Sequence, residues 1–238
     1  MCASLPGSRL SVSNQGSGRT GLEQGIGMIW TSRYLFLHLP KTAGMSINNL
    51  LLSKAAELTF FTDIVEGGFN NAVHVPGIRH ENLYEAESYF CHWNKSLLEF
   101  EKIFVVMRNP YDQELSQYTY LRQGHEWDVG QAATIAMSGS FQTFLESASL
   151  KGDFPPRLDK FFAILGQIPK NLRILRFENL HEDIRQHFSP YLTEIDLRHE
   201  NRSKHRSFEH EYDAKMEQLC YRRNRWFFDN GYYKRLQF

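Results

Sequence analysis

Lys41, Arg108 and Ser116 are two cations and a hydroxyl set where apolar runs give way to helical patterns. The first lies in HLPKTAGMS, residues 38–46. Residues 34–37 ahead of it form a continuous apolar run, as expected for a strand buried on both faces of a parallel sheet. Pro40 stops the strand, Gly44 permits a tight turn, and Ser46 stands at a helix N-cap or in the first turn. Backbone N–H groups at the helix start point at the turn, the macrodipole favours negative charge there, and Lys41 adds a full positive charge. Strand, turn and helix together make an anion cradle. Arg108 closes a second apolar run, 103–107; Asn109 can cap the next helix, Pro110 fits its first turn and Ser116 lies almost two turns in. A strand-end guanidinium and a helix hydroxyl so placed converge on one phosphate.

The elements that must position these groups follow from the apolar spacing. Ile47, Leu50, Leu51, Ala55 and Leu58 give the helix after the turn one buried stripe. Residues 63–79, with Gly67, Gly68, Pro76 and Gly77, read as a loop-rich excursion over the cleft, with His74 and His80 in or near it. His92 lies 16 residues before Arg108. Residues 124–156 read as a lid or acceptor-binding insertion containing the amphipathic SFQTFLESA, and 159–165 look helical. Residues 171–180 read as a third buried strand ending in Glu178, with Arg173 and Arg176 alternating toward one polar edge. Residues 200–210 are a polar, basic loop, and 212–228 a terminal helix with Arg222, Arg223 and Arg225 opposite its packed side. Residues 1–27, with six Gly and five Ser, read as a disordered and dispensable leader, with Met28 just before the first strand; 28–238 is the domain.

A chain of 238 residues buries a substantial core, and one domain is expected. Lys plus Arg equals Asp plus Glu, 27 each, which argues against a nucleic-acid partner. Cys2, Cys91 and Cys220 are too few and scattered for a disulfide framework or a Cys-rich zinc site, and a reducing cytoplasm is expected. No ligand cluster calls for a metal, no apolar run is long enough to span a membrane, and oligomeric state is not encoded legibly.

The G-x-x-x-x-G-K-[ST] spacing of nucleotide-binding P-loops is absent, because the Lys precedes the Gly. PKTAGMS at 40–46 instead resembles the 5′-phosphosulfate loop, typically PKTAGTS or PKTGGTS, of sulfotransferases that use 3′-phosphoadenosine 5′-phosphosulfate (PAPS). Residues 108–116 resemble their 3′-phosphate motif R-x-P-x-x-R-x-x-S, and FCHW at 90–93 resembles their GHF or GHW phrase. LRFENL at 175–180, NRSKH at 201–205 and WFFDNGYY at 226–233 are similar to later phrases, so the resemblance spans roughly residues 33–233. It implies an α/β, P-loop NTPase-like sulfotransferase fold with a central parallel sheet flanked by helices, of the soluble carbohydrate or bacterial type. It also implies PAPS as co-substrate without a metal, and a small-molecule or glycan acceptor. By the same resemblance Lys41, Thr42, Ala43, Gly44, Met45 and Ser46 hold the phosphosulfate, and Lys41 stabilises the leaving oxygen. Arg108 and Ser116 hold the 3′-phosphate, Ser203 and Lys204 close over the nucleotide, and His92 takes the acceptor's proton. Two positions depart from the family pattern: Met45 replaces a Thr and cannot donate a hydroxyl, and Gln113 replaces an Arg, removing one charge. Those departures motivate an alternative, a catalytically weakened PAPS-binding protein of the same fold; a nucleotide kinase is disfavoured by the missing P-loop spacing.

Overall fold

The computed structural model describes residues 26–54, 58–62, 72–76, 80–124, 130–150, 152–197 and 207–238. The fold is α/β: a six-stranded open sheet of order β4-β3-β1-β2-β5-β6, flanked by helices. Its strands are β1 (Ile26–Trp30), β2 (Tyr34–Leu37), β3 (Leu58–Thr62), β4 (Ala72–Pro76), β5 (Lys102–Met107) and β6 (Leu172–Arg176). β2, β5 and β6 pair in parallel, as do β3 and β4, while β1 is antiparallel to both its neighbours. Five strands therefore share one direction, and β1 alone breaks the expected all-parallel sheet. The cause is local: only residues 31–33 join β1 to β2, and so short a connection allows only an antiparallel pair. Thr31 fixes that turn, its Oγ1 accepting from the backbone N–H groups of Arg33 and Tyr34 at 3.1 Å each.

Alternation along β2 and β5 sends Leu35, Leu37, Ile103, Val105 and Met107 to one face and Tyr34, Phe36, Phe104 and Val106 to the other. The second face is covered by α1 (Gly44–Lys54) and by α6 (Leu180–Phe188) through Ile184 and Phe188. The first is covered by α2 (Leu83–Cys91), by a 3-10 turn at Leu158–Phe161, and by Phe227 of α8 (Arg225–Asp229). α3 (Pro110–Leu121), α4 (Gln131–Ser138), α5 (Phe141–Ser147) and α7 (Ala214–Arg223) complete the domain.

Several boundaries differ from the sequence expectations. α1 stops at Lys54, and Leu58 begins a strand: LTFFT is rich in the β-branched and aromatic residues that suit a pleated surface, and β1 offers it a partner. The presumed excursion at 63–79 contains β4, which carries His74; residues 63–71 and 77–79 lie outside the described residues, as do 1–25 of the leader. β1 begins two residues inside that leader, and Met28 is a fully buried strand residue. Residues 159–165 hold only a single 3-10 turn, and β6 is a partly exposed edge strand that ends at Arg176 rather than Glu178. The terminal helix is two, broken at Asn224, whose Nδ2 donates to Glu114 Oε1 (2.9 Å) and to the Cys220 carbonyl (3.2 Å). Arg223, expected on the outer side, is buried in an ion pair with Glu114 at 2.9 Å. Among the described residues Cys91 and Cys220 are free thiols, and no helix is long and apolar enough to cross a membrane.

Candidate functional site

The lysine turn leaves β2 at the sheet edge where the parallel strands end, and its conformation is set by three side chains that capture three consecutive carbonyls. Thr42 Oγ1 donates to Leu39 O (2.8 Å), Gln113 Nε2 to Pro40 O (3.0 Å) and Arg108 Nη1 to Lys41 O (2.7 Å). In a trans peptide the N–H points opposite to the C=O, so the N–H groups of Lys41 and Thr42 face away from Gln113 and Arg108. Lys41 and Ala43 both have φ of +62°, in the left-handed region. Each costs an ordinary residue on the order of 1–3 kcal/mol, strain of a kind that clusters at functional sites. The Ala43 carbonyl then accepts from Ile47 N–H, and α1 begins, with Met45 and the buried Ser46 in its first turn.

Gly44 does not supply the turn's positive φ, as its spacing suggests; Lys41 and Ala43 do. Its role is close approach. A Cβ on Gly44 would stand 1.8 Å from His38 Cδ2 and 2.0 Å from Nε2. Gly44→Ala is expected to destabilise the protein by about 1–3 kcal/mol through overpacking. Urea unfolding checks this, and His38→Ala in the same chain should relieve part of the loss.

Lys41 and Arg108, 67 residues apart in the sequence, are in contact through the hydrogen bond from the Arg108 guanidinium to the Lys41 carbonyl. Arg108 follows the last residue of β5 and is buried; its Nε donates to Asp112 Oδ2 at 2.7 Å and its plane lies 4.1 Å from the Phe177 ring centre. Asn109 caps α3 by accepting from Tyr111 N–H, while its own N–H donates to Glu178 Oε1 at 2.7 Å. Gln113, read from sequence as a missing charge, is a buried clamp on the turn. Ser116 is buried further along α3, and Lys41 Nζ sits 3.9 Å from the Tyr120 ring centre. Gln113, Ser116 and Tyr120 fall at helical spacings of three and four, the signal that one face of α3 lies along the turn.

His92 is not part of this assembly. α2 starts beside the turn, since His80 Nδ1 is 2.8 Å from the His38 carbonyl and the two rings are 4.7 Å apart. It ends at the opposite edge of the sheet, where Trp93 packs 6.2 Å from Trp30, the partner of Leu35 near the start of β2. Nine residues of helix separate the two ends by about 13 Å. His92 is exposed there, its Nδ1 2.6 Å from Ser88 O. The histidines at the turn are His38, which its sequence context did not single out, and His80. Because a carbonyl only accepts, His80 Nδ1 must carry the hydrogen, which leaves Nε2 as the basic nitrogen of the neutral ring.

No family model, no curated protein and no solved structure matches this chain at a significant level. The site therefore rests on its own geometry: a turn with a lysine, a buried arginine that fixes it, and two histidines at its side. Ser203 and Lys204 lie outside the described residues; Phe208, just after them, stacks on Tyr111 of α3 at 6.1 Å. Among the described residues no group of acidic, His or Cys side chains is arranged to hold a metal.

Proposed function

We propose that this chain is a PAPS-dependent sulfotransferase of P-loop-like fold that transfers a sulfuryl group to a hydroxyl, with a carbohydrate or glycoconjugate as acceptor. The observation that supports it most is the capture of the Pro40 and Lys41 carbonyls by Gln113 and Arg108, which turns the Lys41 and Thr42 N–H groups to the other side at the head of α1. A phosphosulfate would be held there by backbone donors fixed in advance, which suits a loose transition state that needs positioning and positive potential. Lys41 would leave the Tyr120 ring to neutralise the bridging oxygen as its bond to sulfur breaks. As the new bond from the acceptor oxygen to sulfur forms, the acceptor's proton would pass to His80 Nε2, and adenosine 3′,5′-bisphosphate departs. Arg108 first holds the turn; its Nη2 donates to no described residue and is the part left for a 3′-phosphate, with Ser116. Free thiols at Cys91 and Cys220 suit a reducing, cytoplasmic setting.

A second reading, a PAPS-binding protein without turnover, draws on two details: Met45 offers no hydroxyl in the first turn, and the Thr42 hydroxyl donates to Leu39 O. Calorimetric titration with adenosine 3′,5′-bisphosphate tests what both readings share. Binding should be saturable and should weaken at least about tenfold in Lys41→Ala, which removes a charge-assisted hydrogen bond to the nucleotide. Binding equal to that of ATP with magnesium, or indifferent to Lys41, would overturn both. Release of adenosine 3′,5′-bisphosphate from PAPS in the presence of hydroxyl acceptors then separates the enzyme from the binding protein.

A further inference from the structure

Next to the turn lies a small cavity of about 60 Å³ lined by Pro40 and Gln113, and beyond it a larger one of about 180 Å³. Pro156, Leu158 and Arg223 line both. Its lining is markedly basic: Arg157, Arg222, Arg223 and Arg225 against one acid, Asp159. Arg223 is committed to its buried pair with Glu114. Arg157 is held by both oxygens of Asp159, at 2.9 and 2.7 Å. Arg225 pairs with Asp229 at 2.6 Å, but its side chain is 71% exposed, and an ion pair in that setting exchanges partners at little cost. Arg222, also exposed, makes no ion pair with any described residue. Pro155, Pro156, Leu158 and Phe227 supply apolar wall, and Asn224 a polar one. Trp226 contributes an edge, its ring being already stacked on Phe162 at 5.6 Å and Tyr232 at 5.2 Å. The cavity's distinguishing chemistry is thus charge, with guanidinium forks that match the paired oxygens of a carboxylate or sulfate.

We propose that this cavity binds a compact organic anion, one carboxylate or sulfate group on a body the size of a single sugar ring. The site does not depend on the sulfuryl-transfer reading. A volume of about 180 Å³ admits one ring and its anionic substituent, not an extended chain.

Calorimetry at low ionic strength with glucuronate, glucose 6-sulfate and glucose decides the matter, using the full chain and an Arg222→Ala, Arg225→Ala double variant. Both anions should bind the unchanged protein, glucose should not, and the variant should weaken each anion by about tenfold or more. Because the two arginines are exposed, the variant's thermal unfolding should match that of the unchanged protein. Equal binding of glucose, or anion binding that survives the double change, would overturn the site. Anion binding that depends on these arginines would uphold the site whether or not the protein binds adenosine 3′,5′-bisphosphate.

Discussion

Replacing His80 by alanine is expected to lower the rate of sulfuryl transfer by about 10²–10⁴-fold, the usual worth of a positioned general base, whereas His92→Ala should leave the rate unchanged. The contrast follows from which end of α2 each histidine occupies. His80 precedes the helix and packs on His38 beside the lysine turn; His92 follows it, at the far edge of the sheet. The His38 carbonyl holds His80 in the tautomer that keeps Nε2 basic, so the ring is oriented as well as near. Nucleotide affinity should be untouched in His80→Ala, because neither phosphate contact involves that ring. Single-turnover measurements with a fixed acceptor read the two effects separately. An active His80→Ala enzyme, or an inactive His92→Ala enzyme with intact nucleotide binding, would require another base.

The features legible in the sequence are those set by neighbours in the chain. The apolar runs of β2 and β5, the break at Pro40 and the capping of α3 by Asn109 and Pro110 are local signals, and each appears where the residues indicate. So does the meeting of Lys41 with Arg108, because both follow parallel strands that pair in register, Leu37 with Val105. What is not legible depends on direction and distance. FCHW resembles a motif, yet nothing in four residues says which edge of a sheet a nine-residue helix will reach. The helical spacing of Ile47, Leu50 and Leu51 runs on formally to Ala55 and Leu58, but pairing with Ala72 of β4 claims Leu58 for a strand. Gln113 reads as a missing charge because a sequence shows side-chain type and not the carbonyl it faces. Gly44 reads as a turn residue because the imidazole that forbids a Cβ there comes six positions earlier and meets it only through the turn.

Arg108→Ala is expected to cost about 3–5 kcal/mol of folding stability, the range for removing one partner of a buried, hydrogen-bonded ion pair. The guanidinium is 6% exposed and serves three neighbours at once: the Asp112 carboxylate, the Lys41 carbonyl and the face of Phe177. Truncation removes the guanidinium from the first two, and the turn loses the bond that fixes its Lys41–Thr42 peptide. Gln113→Ala, which strands only the Pro40 carbonyl, should cost about 1–3 kcal/mol, the penalty of one buried unsatisfied acceptor. Arg108→Lys separates charge from geometry: an ammonium keeps the charge but cannot reach Asp112 and Lys41 together with the same fork. Stability should therefore return only in part, and nucleotide binding should stay weak if Nη2 is the phosphate donor. Urea unfolding of the three variants, with adenosine 3′,5′-bisphosphate titrated into each, ranks the contributions. If Arg108→Lys restored both stability and binding, the arginine would act as a bare charge, and its fork would not be what sets the Lys41–Thr42 peptide.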